Sequence, residues 1–196
     1  MRKLVFSFVV GASLFVTHST FAAEDAPSLS TFDRMISLSA YGVGWAGAYS
    51  GGGAGGRLAI VPHKWFGLEL FAEAVFVDSP GGFRHDHPVG FDMFVPIRLG
   101  ERVRIRPLAG MCVVFSLQDP DQPDGPRSDD VLFGLQAGAG LDVALIDELS
   151  LFTDLKAIGY LGHDRSALGW SGSVGEEYRT FGLGQAILGL SVHVQP

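Results

Sequence analysis

The sequence predicts an all-β chain folded as an eight-stranded antiparallel up-and-down barrel that crosses a membrane, and three observations carry that expectation. Strand-like runs place apolar residues at every second position, connectors between runs alternate short and long, and the composition favours strands over helices. The chain has 27 glycines and 15 phenylalanines but few helix-forming windows. The pattern is plainest in GERVRIRPLAGMCVVFS, residues 100–116, where Arg102, Arg104 and Arg106 alternate with Val103 and Ile105. In a strand that spacing sends the guanidiniums to one face and the aliphatic side chains to the other.

The chain opens MRKLVFSFVVGASLFVTHSTFAAED, with a basic start, an apolar run from Leu4 to Val16 and small residues at Thr20 and Ala22. That layout predicts a secretory signal over 1–22, followed by a polar lead over 23–34 and a barrel domain over 35–196. The apolar run falls short of the roughly 20 residues a spanning helix needs. Removing Arg2 and Lys3 takes the 14 basic residues to 12 against 21 acidic ones, a net charge of −9, which argues against nucleic acid as a partner. Cys112 is the only cysteine, so no intramolecular disulfide forms, and an exported chain must then be held by its ladders and packing.

The eight runs fall at 35–49, 56–63, 66–78, 89–99, 102–116, 131–146, 149–161 and 180–194. The first two are separated by SGGGAGG, read as a connector, and the second and third by the tight HKWF. The third carries Phe66, Leu68, Leu70, Ala72, Ala74 and Phe76 on one face. After the long connector SPGGFRHDHPVG, the fourth places Val89, Phe91, Met93, Val95, Ile97 and Leu99 together. The turn GE leads to the fifth, whose apolar face is Val103, Ile105, Pro107, Ala109, Met111, Val113 and Phe115. Beyond LQDPDQPDGPRSDD, the sixth repeats the pattern from Val131 to Leu145, and the turn DE leads to the seventh, with Leu149, Leu151, Leu155 and Ala157. A last long connector, LGHDRSALGWSGSVGEEYR, precedes the eighth, which alternates Leu188, Leu190, Val192 and Val194. Pro96 and Pro107 lack the amide proton a ladder needs, so bulges are expected there, near the short-turn rim.

The opposite faces carry the charge: Glu69, Glu73, Asp92, Arg98, Arg102, Arg104, Arg106, Asp142, Asp154 and Lys156, with Gln136. Five acids against five bases, interspersed with Gly67, Gly90, Gly110, Gly134, Gly138 and Gly140, predict a neutralised interior network in a barrel whose aliphatic faces meet lipid. The alternative polarity, a soluble lipocalin-like carrier, would turn the aliphatic faces inward and the charges to water. Short turns at one rim and long polar connectors at the other match transmembrane barrels with short periplasmic turns and longer outer loops. Trp45, Trp65, Trp170, Tyr49 and Tyr160 fall near strand ends, where interfacial aromatics are expected.

With these features the chain resembles the small outer-membrane β-barrels, the group of the outer membrane protein A membrane domain and the opacity-type surface proteins. DDVLFGLQAGAGLDVALIDELSLFTDLKAIGYLG, residues 129–162, carries the resemblance best: a Gly-interrupted strand, a tight turn, and a return strand with Asp154 and Lys156 on its inner parity. The resemblance implies eight strands, a polar interior without a wide pore, and residence in the cell outer membrane. It also implies a structural or surface-interaction role, with at most a narrow, gated, porin-like path. The expected partners are outer-membrane lipid and lipopolysaccharide, with an extracellular ligand met through the long loops; a monomer without cofactor is expected. The chain ends LGLSVHVQP, whereas members of that group usually end in an aromatic residue.

Two motifs hold further chemistry. RHDHP, residues 84–88, places His85 and His87 around Asp86 in what reads as a polar loop, a weak signal for metal capture. GHDRSALGWSGSVGEE, residues 162–177, holds His163, Ser166, Glu176 and Glu177. A small outer-membrane lipid A deacylase is similar in size and sets a Ser, a His and a Glu near its final strands. That likeness implies a hydrolase as the alternative function, although its His-to-Ser spacing differs. Asp119, Asp121, Asp124, Asp129 and Asp130 give the third long connector an acidic character suited to divalent cations that bridge lipopolysaccharide phosphates.

Overall fold

Period-two alternation runs through nearly every strand of the computed structural model, which describes residues 36–47, 50–79, 82–118, 128–162 and 179–194. The strands are β1 (Ile36–Gly47), β2 (Ser50–His63), β3 (Phe66–Ser79), β4 (Gly82–Phe94), the two-residue β5 (Ile97–Arg98), β6 (Val103–Gln118), β7 (Ser128–Ile146), β8 (Leu149–Gly162) and β9 (Arg179–Val194). Neighbours pair antiparallel in the order β4-β3-β2-β1-β9-β8-β7-β6-β5, and β4 also pairs with β6, so the eight long strands close into a barrel. Even β1, with 12 residues, advances roughly 30 Å along a barrel axis at the usual rise and tilt, enough to cross a bilayer.

The aliphatic faces point outward. Leu70, Phe76, Val89, Met93, Phe115, Leu135, Leu155, Leu188 and Val192 are all exposed on the outer wall, while Glu69, Asp92, Arg106, Asp142 and Asp154 are buried inside. This overturns the reversed polarity of a soluble carrier, in which Val103, Ile105 and Phe115 would line a core.

Two stretches read as connectors are strands. Residues 50–55 belong to β2, with Gly51 opposite Trp45 and Gly55 opposite Tyr41. A Cβ on Gly55 would lie 2.6 Å from the Tyr41 ring, so the glycine run makes room for inward aromatics. Residues 82–88 form the first half of β4, paired on both sides from Arg84 to Asp86, with Asp86 opposite Val75 and Ser116. Pairing with β3 lapses between Val75↔Asp86 and Ala72↔Val89, around Pro88, which offers no amide proton. The connections from β1 to β2 and from β3 to β4 thus shrink to residues 48–49 and 80–81.

The expected bulges at Pro96 and Pro107 are also corrected. Phe94 opposes Leu108 and Ile97 opposes Ile105, so no residue is inserted and β5 resumes the register of β4. Proline removes ladder bonds without forcing an extra residue; Pro107 still accepts from the Val95 amide at 3.1 Å. The true register shifts flank the tight turns, between Ile60 and His63 and between Ala144 and Ile146.

Candidate functional site

The inward positions of β2, β3, β4, β6, β7 and β8 converge on one ion-paired layer. Arg106 sits at its centre: Nη1 donates to Glu69 at 2.9 Å and Nη2 to Asp154 at 2.7 Å. Its Nε lies 2.8 Å from Asp142 Oδ2 without the alignment of a hydrogen bond. Arg57 bridges two of the same acids, donating from Nη1 to Asp154 at 2.6 Å with Glu69 at 3.1 Å. Arg104 Nε donates to Asp142 at 2.7 Å. Lys156 donates to Asp92 at 2.7 Å, and Asp92 also accepts from Gln136 at 2.6 Å. Each acid but Glu73 therefore faces a cation, as charges withdrawn from water require.

Glu73 is held by neutral donors instead, accepting from the Tyr41 hydroxyl at 3.1 Å and from Gln185 Nε2 at 2.8 Å. Glycine supplies the space the long side chains need. A Cβ on Gly140 would stand 2.9 Å from Arg106 Nη2 and would also meet Asp154.

The layer abuts apolar packing on both sides. Arg57 stacks 3.6 Å from the Phe152 centroid, Lys156 lies 4.8 Å from Phe71, and Arg106 lies 5.1 Å from Phe94. Phe152 and Phe71 belong to a buried cluster with Val43, Val75, Val114 and Leu132, concentrated toward the strand ends that lead to the connections at 48–49, 80–81, 119–127 and 163–178. Phe94 belongs to a smaller cluster with Ala59, Val61 and Leu108. The resemblance implied a polar interior; the lumen sets apolar clusters beside the ionic layer, and Arg84, Asp86 and Ser116 form a further buried polar group. Trp45 and Tyr160, expected at the interface, are buried in the larger cluster with ring centroids 6.3 Å apart, while Trp65 is exposed at the β2–β3 turn.

Of the residues singled out in the sequence, Glu69, Asp92, Arg104, Arg106, Asp142, Asp154 and Lys156 come together, and Glu73 adjoins them. Arg98 and Arg102 do not: both are exposed at the turn rim. Strand parity carried through Pro96 and through residues 99–102 pointed them inward. Parity holds at Arg98, which stands opposite the inward Arg104, but at the open rim it is exposed; Arg102 lies in the turn that holds Gly100 at a φ of 129°. The residue that sequence reasoning missed is Arg57, placed inside by the full length of β2.

A second buried pair joins Arg84 Nη2 to Asp86 at 2.7 Å, and Asp86 also accepts from Ser116 at 2.7 Å. His85 and His87 lie on the outward face of this strand, not in a loop. Among the described residues no three His, Cys, Asp or Glu side chains gather as a metal cage. His163, Ser166, Glu176 and Glu177, and the acids Asp119, Asp121 and Asp124, lie outside the described residues.

No protein-family model matches the chain, and no curated protein matches it in sequence. Among solved structures the barrel is similar to Neisserial surface protein A, at 13% identity over 81% of this chain and 95% of that one, with a TM-score of 0.57. It is similar to a major outer membrane protein from Thermus thermophilus, at 15% identity over 81% and 99%, with a TM-score of 0.55. It is also similar to Ail, the attachment invasion locus protein of Yersinia pestis, at 12% identity over 83% and 99%, with a TM-score of 0.53. At such identities the likeness is one of architecture. With its aliphatic wall turned outward and β4 closing on β6, the chain has the fold of the small outer-membrane β-barrels.

Proposed function

We propose that this is a monomeric outer-membrane protein, exported by the signal over residues 1–22, that serves a structural or surface-interaction role with its lumen closed to solutes. The observation that supports closure is the filling of the lumen: an ionic layer centred on Arg106 backed by the apolar cluster of Val75, Val114 and Leu132. Eight strands leave room inside for side chains only. An ion that passed re-partnered carboxylates would still meet the apolar cluster and lose its hydration there. Rearranging the ion pairs alone therefore leaves the path shut. The outer wall contacts lipid and lipopolysaccharide, and the outer connections meet any extracellular ligand.

Cell fractionation followed by gel electrophoresis with and without boiling tests location and fold, and planar-bilayer recording tests closure. Recovery in the outer membrane, a heat-dependent mobility shift and no stepwise conductance are expected. A soluble periplasmic protein, or sustained channel openings from the purified barrel, would refute the proposal.

A further inference from the structure

His85 and His87 change meaning once their segment is a strand. In β4 they sit two residues apart on the outward face, so their Cβ atoms point the same way with Cα atoms roughly 6.7 Å apart. Two imidazoles at that spacing can converge on one ion, whereas a mobile loop would have to order itself first.

The residues between and beside them fix the strand from within. Asp86 is wholly buried, paired with Arg84 at 2.7 Å and accepting from Ser116 at 2.7 Å. The backbone is paired on both sides at His85, opposite Phe76 and Leu117, and with β6 at His87, opposite Phe115. The His85 ring packs edge-on against Phe76 at 5.0 Å and 73°. RHDHP thus locks Arg84 and Asp86 inside and displays two half-buried imidazoles outside.

The wall around them narrows the choice of ligand. Apart from His63, at the opposite, turn-rim end of the barrel, His85 and His87 are the only ionisable groups among the described side chains at outward positions of the eight long strands. In β4 they stand just beyond Val89, Phe91, Met93, Val95 and Ile97, an apolar stretch about as long as a membrane-crossing strand, and level with Phe76, Phe115 and Leu117 of the neighbouring strands, which places them at the outer edge of the apolar wall. No described lysine or arginine shares that face, so no described group there builds the positive field an anionic headgroup would need. Neutral imidazole nitrogens are instead good donors to borderline divalent metals.

We propose that His85 and His87 form a two-imidazole site for a divalent transition metal at the outer edge of the lipid-facing wall, with water or lipid phosphate oxygens completing the coordination. The site is independent of the lumen and of the closure proposed above.

The test uses the full mature chain without a polyhistidine tag, folded in detergent and titrated with Cu²⁺ alone under electron paramagnetic resonance. One equivalent should bind with hyperfine structure from two imidazole nitrogens. His85→Gln and His87→Gln, both outward and remote from the ionic layer, should each lose the two-nitrogen pattern and weaken binding by about tenfold or more, with the heat-dependent gel shift confirming a folded barrel. Wild-type protein that binds no stoichiometric Cu²⁺ would overturn the proposal. So would a double variant that keeps the two-nitrogen signal, since the ligands would then lie elsewhere, at His63, His163 or His193.

Discussion

Replacing Arg106 with Met is the sharpest probe of the lumen. Methionine keeps most of the apolar stem and removes the guanidinium, which lies 5.1 Å from the Phe94 ring centroid, so the loss is mainly one of charge and hydrogen bonds. Three carboxylates lose a partner at once: Glu69 at 2.9 Å, Asp142 at 2.8 Å and Asp154 at 2.7 Å. None is wholly abandoned, because Arg57 still holds Glu69 and Asp154 while Arg104 still holds Asp142. The cost is therefore that of breaking one buried pair and not three, about 3–5 kcal/mol. Reversible urea unfolding in lipid vesicles, followed by tryptophan fluorescence or by the folded band on unboiled gels, measures it. Adding Asp154→Asn should recover part of the loss, because the second change removes a charge the first leaves under-compensated. A loss below about 1 kcal/mol, the range of exposed pairs, would refute the claim that the layer is withdrawn from water. Arg102→Ala, at the exposed rim, should leave the midpoint in place.

Three further outcomes follow from the packing. Leu132→Ala should cost about 2–5 kcal/mol in the same unfolding assay, since Leu132 is wholly buried among Val114 and its neighbours and the vacated volume has little way to collapse. Gly55→Val should displace the Tyr41 ring, 2.6 Å from where its Cβ would stand, and weaken folding, whereas Gly44→Ala, with nothing within 4 Å of its Cβ, should fold as well as the parent or better. Leu155→Arg, on the outer wall with 66% exposure, should destabilise the barrel in bilayers by about 2–4 kcal/mol; no loss would mean that this face does not meet hydrocarbon.

Much of this fold was legible because alternation survives local composition. The outward faces from Phe66 to Phe76, from Val103 to Phe115 and from Leu188 to Val194 read directly from period-two spacing. Illegible stretches were those where composition and pairing disagree. SGGGAGG and RHDHP have turn-forming residues, yet partner strands recruit both because Tyr41 needs the space beside Gly55 and Asp86 needs Arg84 and Ser116. Tertiary pairing overrode local preference there. Arg57 lies within run two, 56–63, on the parity opposite Leu58 and Ile60, a signal that was overlooked. The apolar cluster had a signal that went unread: at Ala74–Val77, Val113–Phe115 and Val131–Phe133 alternation gives way to continuous apolar residues, the mark of strands buried on both faces.

That change of pattern within single strands explains how one lumen holds two environments. In β6 the inward residues run Arg104, Arg106, Leu108, Gly110, Cys112, Val114 and Ser116, from cation to aliphatic with glycine between, and then to the hydroxyl that joins Asp86. In β3 the order is Glu69, Phe71, Glu73, Val75 and Val77. The charges thus gather where neighbouring strands offer the opposite sign, and the aliphatic residues gather where none does, so neither group is left without its kind of partner. A layer of ions alone could exchange partners through the small motions of Arg57, Arg106 and Lys156. Such an exchange leaves the adjoining cluster packed, and parting its side chains would expose apolar surface to water. The proposed closure therefore draws its support from Val75, Val114 and Leu132 more than from the ion pairs, which join residues of different strands.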